Sequence, residues 1–390
     1  MDLSANKLPR IEVVDALRGF AVMAILLVHN IEHFIFPEYP VHQPMWLSVI
    51  NQGIGDVVFS LFAGKAYAIF ALLFGFTFYV QSANQRRVGK DFGYRFLWRL
   101  VLLAVFATIN AAFFPAGDVL MLFVVVGPVL FLTRDFSDKW LLAAAVFCLL
   151  QPLEWGRLIM AAADGAHQLP DLRVGQLYAE VGEVAASGNF KDFIVENVTV
   201  GQLASLLWAV DAGRAVQTAG LFLLGFYIGR RQLFIATEGS LRLWTKVLVI
   251  AAVAFGPLYV LKDAIMESAS EMVRATAGTA LDMWQKLAFA LVLVAGFTLM
   301  YQGKCFAKAV DGLRYYGKMS LTNYLSQSVI GAFVYFPIGL HLAPYCGNAL
   351  SLLVGVAVFM AQLCFSKWWL KHHRQGPLEH IWHKWTWFRR

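Results

Sequence analysis

Charged residues and cysteines are both scarce in this sequence of 390 residues. Only 15% of the residues are charged and 59% are hydrophobic, a balance that excludes an ordinary soluble protein. The four cysteines occur singly, with no CxxC pair, at Cys148, Cys305, Cys346 and Cys364. This usage excludes a disulfide framework, and the sequence also lacks the glycine-rich motifs of phosphate and dinucleotide sites.

Apolar runs of about 20 residues are what the sequence has instead. They predict an all-α fold, a polytopic membrane bundle of about ten helices forming a single transmembrane domain over residues 1–390. We place the spans at about 14–36, 56–81, 94–114, 117–133, 139–160, 205–230, 243–262, 281–301, 319–339 and 347–369. No small-residue cleavage site follows the first run, so we expect it to be retained as an anchor.

The distribution of lysine and arginine predicts the orientation. Most of the 32 basic residues precede the first span, follow even-numbered spans or lie in the C-terminal tail. Both termini are therefore expected in the cytoplasm. The net charge of +7 then belongs mainly to the side facing the inner leaflet, and no nucleic-acid partner is expected.

Two segments lie outside the predicted spans. The acidic stretch 161–204 is expected on the external side, with a short amphipathic helix that either covers an outer vestibule or links two groups of spans. The tail 371–390 combines Trp, His, Lys and Arg, which is typical of a segment lying on a membrane surface. No cysteine or carboxylate set completes a metal site with its histidines, so no metal is predicted.

The chain is organised around residues Arg10 to Phe36, where an apolar run contains His29. Helical rise places His29 roughly 21 Å above Asp15, inside the outer third of the membrane. Ionisable groups at that depth usually face a cavity, so His29 is a candidate functional residue. The alternative is that the helix ends early, in the headgroup layer.

The same depth count aligns three more basic residues with His29. Lys65, Arg214 and Lys286 each stand about 24 Å above the inner end of their helix. We predict a net basic outer pocket that binds an anionic or sugar-like substrate and contains His29 and Lys65 together. Carboxylates of Asp56, Asp211 and Asp282 lie near this level, and the alternative is private ion pairs such as Asp211–Arg214 and Asp282–Lys286.

A second polar layer lies near the inner side. It comprises Asp15, Arg18, Arg314, Lys318, Ser320 and Asn323. The polar face of span nine is a candidate wall of a cavity. The alternative is that this face joins helices together, which is the commoner use of such a face.

Several segments resemble one bacterial membrane family. They are VVDALRGFAVMAILLVHN, GKAYAIFALLFGFTF, LFLLGFYIGR, YYGKMSLTNYLSQS and GPLEHIW. In this order they resemble the family catalogued as domain of unknown function 418. That family is similar to the transmembrane acyltransferase superfamily, which includes heparan-alpha-glucosaminide N-acetyltransferase.

The resemblance implies a reaction and candidate residues. Superfamily members are thought to take an acyl group from cytoplasmic acyl-CoA and deliver it to a sugar acceptor on the other side. The superfamily's Asp at the start of span two falls on Asp56, and its catalytic His corresponds to His42, although the spacing differs and Pro44 intervenes. His29 is the rival general base, since imidazole suits proton removal near neutral pH.

We therefore expect a bacterial inner-membrane acyltransferase with His29, His42 and Asp56 as catalytic candidates. The resemblance implies that acyl-CoA, as acetyl-CoA, is a donor and not a tightly bound cofactor. Arg18, Arg314 and Lys318 would then meet its phosphates, and Asp15, Ser320 and Asn323 would complete the donor site. The other partners would be lipids, a glycan or small polar acceptor, and a second copy in a homo-oligomer. The alternative is a transporter or channel for a small anionic solute, against which the lack of an internal repeat argues mildly.

Overall fold

The computed structural model describes residues 11–35, 38–164 and 168–388, all of whose regular elements are helices. Arg10 and Phe36, the ends of the organising stretch, lie outside the described residues. The first twelve helices are α1 Glu12–Ile31, α2 Met45–Phe62, α3 Lys65–Arg86, α4 Gly93–Ala111, α5 Leu120–Val126, α6 Pro128–Leu132, α7 Asp138–Leu149, α8 Pro152–Ala163, α9 Val174–Ala186, α10 Phe190–Glu196, α11 Gln202–Asp211 and α12 Arg214–Arg230. A π-helical turn, Asn197–Gly201, joins α10 to α11.

The second part of the chain completes the bundle. Its helices are α13 Glu238–Met266, α14 Glu271–Val273, α15 Thr279–Met300, α16 Lys304–Ala309, α17 Asp311–Lys318, α18 Ser320–Tyr335, α19 Asn348–His372 and α20 Pro377–Thr386. A π-helical turn, Arg274–Gly278, leads into α15, and a 3-10 turn, Ala343–Tyr345, precedes α19.

The predicted polytopic helical bundle is confirmed. Within the described residues, seven helical stretches are long and apolar enough to cross a membrane, or eight when α7 and α8, bent by 53°, count as one span. Three of the seven join two numbered helices, namely Met45–Arg86, Phe190–Asp211 and Glu271–Met300. The prediction of about ten spans also counted α5 with α6, α12 and α18. These are shorter, and α12 and α18 have only 17 and 16 residues.

Two predicted boundaries are corrected by the structure. The second span does not run unbroken over 56–81, because the chain breaks at Ala63–Gly64, where Gly64 has a φ of +76°. Residues 190–204, predicted as loop, are helical. The helical stretch Phe190–Asp211 is apolar enough to span, but Phe193 packs on Phe336 at the end of α18 and Trp208 on Arg214 at the start of α12. It therefore lies across one end of the bundle.

We call the two ends of the bundle the terminal face and the distal face. The terminal face carries the start of α1, where Glu12 pairs with Arg314, the end of α3, where Arg86 pairs with Asp135, and helix α20. The distal face carries the end of α1, the start of α12 and the stretch Phe190–Asp211.

Glycines hold the central helices close together. A Cβ added to Gly75 of α3 would lie 1.9 Å from the carbonyl oxygen of Phe222 in α12, and one added to Gly225 would lie 1.8 Å from the carbonyl oxygen of Leu72. A matching seam joins α1 to α17, where Gly19 and Gly317 approach each other's helix. Such backbone-to-backbone contact is the usual role of small residues in membrane helices.

Candidate functional site

A cavity of about 1000 Å³ opens in the distal half of the bundle. Its walls come from α1, α3, α9, α11 and α12 and from the connection between α4 and α5. The lining is mostly apolar and aromatic, with a few polar side chains, which is the usual composition of a small-molecule site. We call it the distal cavity. His29 and Arg214, which the sequence placed at one depth, both line it.

His29 enters the distal cavity from the last turn of α1. Its ring packs edge-on against Phe114, with 4.6 Å between centroids. The Nδ1 atom is buried without a hydrogen-bond partner in the described part of the chain. Nε2 is therefore the nitrogen available to a ligand. The alternative of an early helix end is correct in part, since α1 includes His29 but ends at Ile31, and Glu32 and His33 lie in the turn that follows.

Arg214 is held by aromatic rings. Its guanidinium carbon lies 4.4 Å from the ring centroid of Trp208 and 5.3 Å from that of Tyr67. The Tyr67 hydroxyl in turn hydrogen-bonds the Thr218 hydroxyl, which fixes the ring against α12. The described residues provide the guanidinium with no hydrogen bond or ion pair, so the expected Asp211–Arg214 pair is wrong, and Asp211 is exposed at the end of α11.

Carboxylates balance the charge of Arg214, and this corrects the prediction of a net basic pocket. Glu32, Glu38 and Asp118 all line the distal cavity. Asp118 is structural, because it accepts hydrogen bonds from the Asn110 amide at 2.9 Å and from two backbone amides at the start of α5. Glu32 is the carboxylate that faces the cavity beside His29.

The lysines of the predicted site lie elsewhere. Lys65 is buried with its Nζ 5.7 Å from the Phe289 ring and 3.4 Å from the Phe59 carbonyl oxygen, on the α15 side of α3. The prediction that Lys65 shares a cavity with His29 is therefore wrong. Lys286 pairs with Asp282 at 2.5 Å, as the ion-pair alternative expected. This pair lies beside Gly64, behind the cavity wall.

The two candidates carried over from the resemblance also lie outside the distal cavity. His42 is exposed in the connection before α2, and Asp56 is exposed on α2 itself. Helix α2 buries only Asn51, Gly55 and Val58, so most of its surface faces outward. Of the three catalytic candidates, the structure brings only His29 to the cavity.

Helix α9 covers the distal cavity, at the position where the sequence predicted either a lid or a linking helix. It contributes Val174, Tyr178, Ala179, Gly182 and Ala186 to the lining. The Tyr178 hydroxyl donates to the Ala116 carbonyl oxygen at 2.9 Å, and burial raises the pKa of Tyr178 to about 12. The Tyr178 hydroxyl thus ties α9 to the cavity rim, and the buried side chains of Val181 and Ala185 pack α9 on the bundle.

His33, also in the organising stretch, has a structural role. Its Nδ1 lies 2.9 Å from the Glu38 carbonyl oxygen and its Nε2 2.7 Å from the Ser351 hydroxyl. Burial lowers the pKa of His33 to about 4, so the neutral ring donates from Nδ1 and accepts at Nε2. This anchor holds a left-handed turn at His33, Phe34 and Ile35 beside the cavity.

A smaller pocket, of about 240 Å³, lies on the terminal side, and we call it the terminal pocket. Three of the six predicted donor-binding residues, Arg18, Lys318 and Ser320, line it. Arg18 donates to the Thr77 hydroxyl at 2.9 Å and pairs with buried Asp15 at 3.3 Å. Asp15 therefore positions Arg18 from behind.

The other two predicted donor residues are used differently. Asn323 is buried, and its amide donates to the Tyr316 carbonyl oxygen at 3.0 Å and to the Ser366 hydroxyl at 3.1 Å. It joins α18 to α17 and α19, so the helix-joining alternative is correct at this position. Arg314 pairs with Glu12 and Asp311 and lines a separate surface depression.

Helix α20 closes one side of the terminal pocket, a feature that the sequence did not reveal. Glu379 accepts hydrogen bonds from the backbone amides of Leu321 and Thr322 at the start of α18. Trp382 stacks on Arg99, with the guanidinium carbon 4.1 Å from the ring centroid. A tail expected only to lie on the membrane surface is thus docked on the bundle.

Three aromatic rings separate the two pockets, and we call them the aromatic partition. Phe70 lies 6.5 Å from Tyr324 and 5.8 Å from Phe123, centroid to centroid. On the distal side of these rings, Tyr324 lies 6.5 Å from His29 and Phe123 lies 5.8 Å from Tyr67. All three rings line the terminal pocket. The two pockets are therefore back to back.

Comparisons with known proteins find one family and several individual proteins that are similar to this chain. Residues 228–389 match the family described as "Protein of unknown function (DUF418)", which supports the resemblance seen in the sequence. The chain is similar to the uncharacterized protein YxaH of Bacillus subtilis, at 26% identity over 96% of this chain and 93% of that protein. It is also similar to the uncharacterized protein YeiB of Escherichia coli, at 26% identity over 96% of this chain and 95% of that protein. None of these names states a function.

Proposed function

We propose that this protein is a membrane acyltransferase that takes an acyl group from acyl-CoA at the terminal face and delivers it to a polar acceptor in the distal cavity. The observation that carries the proposal is the back-to-back arrangement of a pocket with cationic side chains and a cavity that contains His29, both lined by residues of α1, α3 and α5. The proposal takes the terminal face as cytoplasmic, in agreement with the charge bias of the sequence.

The terminal pocket supports a donor of this kind by its charge and size. Arg18, Arg99 and Lys318 all line it, and guanidinium and ammonium groups are the usual partners of phosphate. Its volume of about 240 Å³ lies below the roughly 300–1,000 Å³ of sites that enclose drug-sized ligands. Only the pantetheine end would therefore enter, while the nucleotide stays at the surface near Lys318.

In the distal cavity, His29 would act as the general base. The acceptor hydroxyl or amine would lose its proton to Nε2 as its lone pair attacks the thioester carbonyl. The carbon–sulfur bond then breaks, the leaving thiolate takes the proton from Nε2 of His29, and CoA leaves as the thiol towards the terminal pocket. Among the three catalytic candidates, only His29 has the position that this step requires.

The experiment is a binding measurement with acetyl-CoA on the purified protein in detergent. Arg18→Gln and Lys318→Gln should each weaken binding by about tenfold, since a hydrogen bond to a charged group contributes about 1.5–3 kcal/mol. Lys304→Gln is the matched control, because Lys304 is an exposed cation on the same face away from the pocket. Equal affinity in all three variants would contradict the donor site.

The transporter alternative predicts a different result. Two pockets separated by a partition also fit alternating access, in which a solute is exposed to one side at a time. Uptake of an anionic solute into proteoliposomes, together with no binding of acetyl-CoA, would favour the transporter over the acyltransferase.

A further inference from the structure

The charge arrangement of the distal cavity limits what it binds. Arg214 is the cation among its lining side chains, and Glu32 and Glu38 are carboxylates on the same lining. Glu38 lies 3.2 Å from His341 and Asp118 is fully engaged at the start of α5. Arg214 and Glu32 are therefore the two charged groups that a ligand would meet first.

An arginine whose guanidinium has no hydrogen-bond acceptor or ion pair among the described residues is energetically unusual. Arg214 is half-buried. Removing a charge from water without a partner is unfavourable, and a cation–π contact recovers only about 0.5–2 kcal/mol. The described residues leave the five N–H donors of Arg214 without an acceptor, although the rings of Tyr67 and Trp208 hold the guanidinium in one place. A fixed, unsatisfied guanidinium of this kind matches a ligand with two coplanar oxygens.

We propose that the distal cavity binds a small polar molecule with one anionic group, a carboxylate or a phosphate monoester, which Arg214 anchors. Glu32 repels a second anionic group and accepts from a hydroxyl or amine of the same molecule, beside Nε2 of His29. In naming this molecule as the acyl acceptor, the inference rests on the proposed function. The anion site itself does not.

Arg214 and His29 line the same cavity from two different helices, and this gives the anchor a purpose. Arg214 starts α12 and His29 ends α1, so a molecule bound by its anionic group at α12 presents its hydroxyl or amine to α1. This is positioning by a remote group, which raises the rate of a transfer by fixing the reacting atom. Arg214 is thus a specificity-determining residue, and it takes no part in the proton transfer.

The test uses three probes on the purified full chain in detergent, in the absence of acyl-CoA. D-Glucuronate carries a carboxylate, glucose 1-phosphate carries a phosphate, and D-glucose carries neither. Calorimetry should give at least one anionic probe an affinity about tenfold or more above that of glucose. Which of the two binds better distinguishes a carboxylate from a phosphate ligand.

Variants assign the anion preference to Arg214. Arg214→Gln should bring the affinity for the anionic probe down to that for glucose, and Arg214→Lys should retain part of the preference, since charge persists without the planar fork. Arg274→Gln is the control, because Arg274 hydrogen-bonds the Ser268 carbonyl oxygen away from the cavity. Thermal unfolding of each variant checks that it is folded.

The possible results are decisive for the anion site. Wild-type protein that binds glucose as well as both anionic probes, or that binds none of the three, would overturn the inference. A folded Arg214 variant, Gln or Lys, that keeps the full wild-type preference would also overturn its assignment to Arg214. Anion binding without acetyl-CoA binding would leave the inference standing and remove the proposed function.

Discussion

Replacing Gly225 with alanine should separate the two helices that carry the walls of the distal cavity. An added Cβ would lie 1.8 Å from the Leu72 carbonyl oxygen, whereas ordinary contact begins at 3.4 Å. The obstacle is the backbone of α3, so no side-chain rotation relieves it. Helices α3 and α12 must move apart locally by about 1.6 Å, the difference between these two distances.

The expected loss of folding stability follows from this displacement. Overpacking a tight contact costs typically about 1–3 kcal/mol. Alanine recovers up to about 1 kcal/mol of helix propensity relative to glycine, which offsets part of it. Because the clash is with the backbone of α3, which cannot rotate away, we expect a value in the upper part of that range, with a net loss of about 2 kcal/mol in the free energy of unfolding.

Gly256→Ala is the matched control. Gly256 lies inside α13, and a Cβ added there meets nothing within 4 Å. Thermal unfolding in detergent, followed by fluorescence-detected gel filtration, should show Gly225→Ala several degrees below wild type and Gly256→Ala at or above it. Equal stability of the two variants would refute the argument from close approach.

The same substitution should affect the site. Tyr67 lies on α3, and Arg214 and Thr218 lie on α12. Separating the helices weakens the hydrogen bond between Tyr67 and Thr218 and loosens the ring that faces the Arg214 guanidinium. Anion binding in the distal cavity should therefore fall together with stability.

Three further predictions concern catalysis, the tail and topology. His29→Ala should lower acyl transfer by about 100-fold or more with unchanged acetyl-CoA binding, whereas His42→Ala should stay near wild type; the reverse would move the base to His42. Burial raises the pKa of Glu379, so its contribution to docking of α20 is full below the ordinary glutamate pKa and falls as pH rises through the raised value. Amide exchange in α20, corrected for intrinsic rates, should be faster at pH 8 than at pH 5, and Glu379→Gln should remove that difference. In a background without native cysteines, a cysteine at Ser187 should be labelled from outside intact cells and one at Val88 should not; the opposite pattern would invert the orientation.

Depth was predictable from sequence, because helical rise is nearly constant. Counting from the inner end of each helix placed His29 and Arg214 at one level, and both line the distal cavity. The direction in which a side chain points around the helix axis was not predictable in the same way. Gly64 and Ala66 line the cavity, while the Lys65 amine points towards α15, since successive residues turn by about 100° and the break at Gly64 resets the phase.

Contacts between distant parts of the chain could not be predicted from the sequence for a related reason. A polar stripe with helical spacing fits both a cavity wall and a helix interface, and Asn323 is in the interface whereas Ser320 lines the terminal pocket. Trp208 precedes Arg214 across a helix break, so spacing alone did not pair them. Glu379 lies 57 residues from Thr322, whose backbone amide it caps. The spacing of residues within one helix does not indicate a contact at that separation.

The aromatic partition decides whether the two pockets act as one site. A thioester entering from the terminal pocket reaches His29 only if Phe70, Phe123 and Tyr324 rearrange, and a closed partition otherwise keeps water from the thioester. Phe70→Ala removes the ring that contacts both others, so it should raise acceptor-independent hydrolysis of acetyl-CoA relative to transfer. Phe255→Ala is the matched control, since its ring is also half-buried but packs on Phe289, away from both pockets. An equal ratio of hydrolysis to transfer in the two variants would mean that these rings do not separate the donor from water.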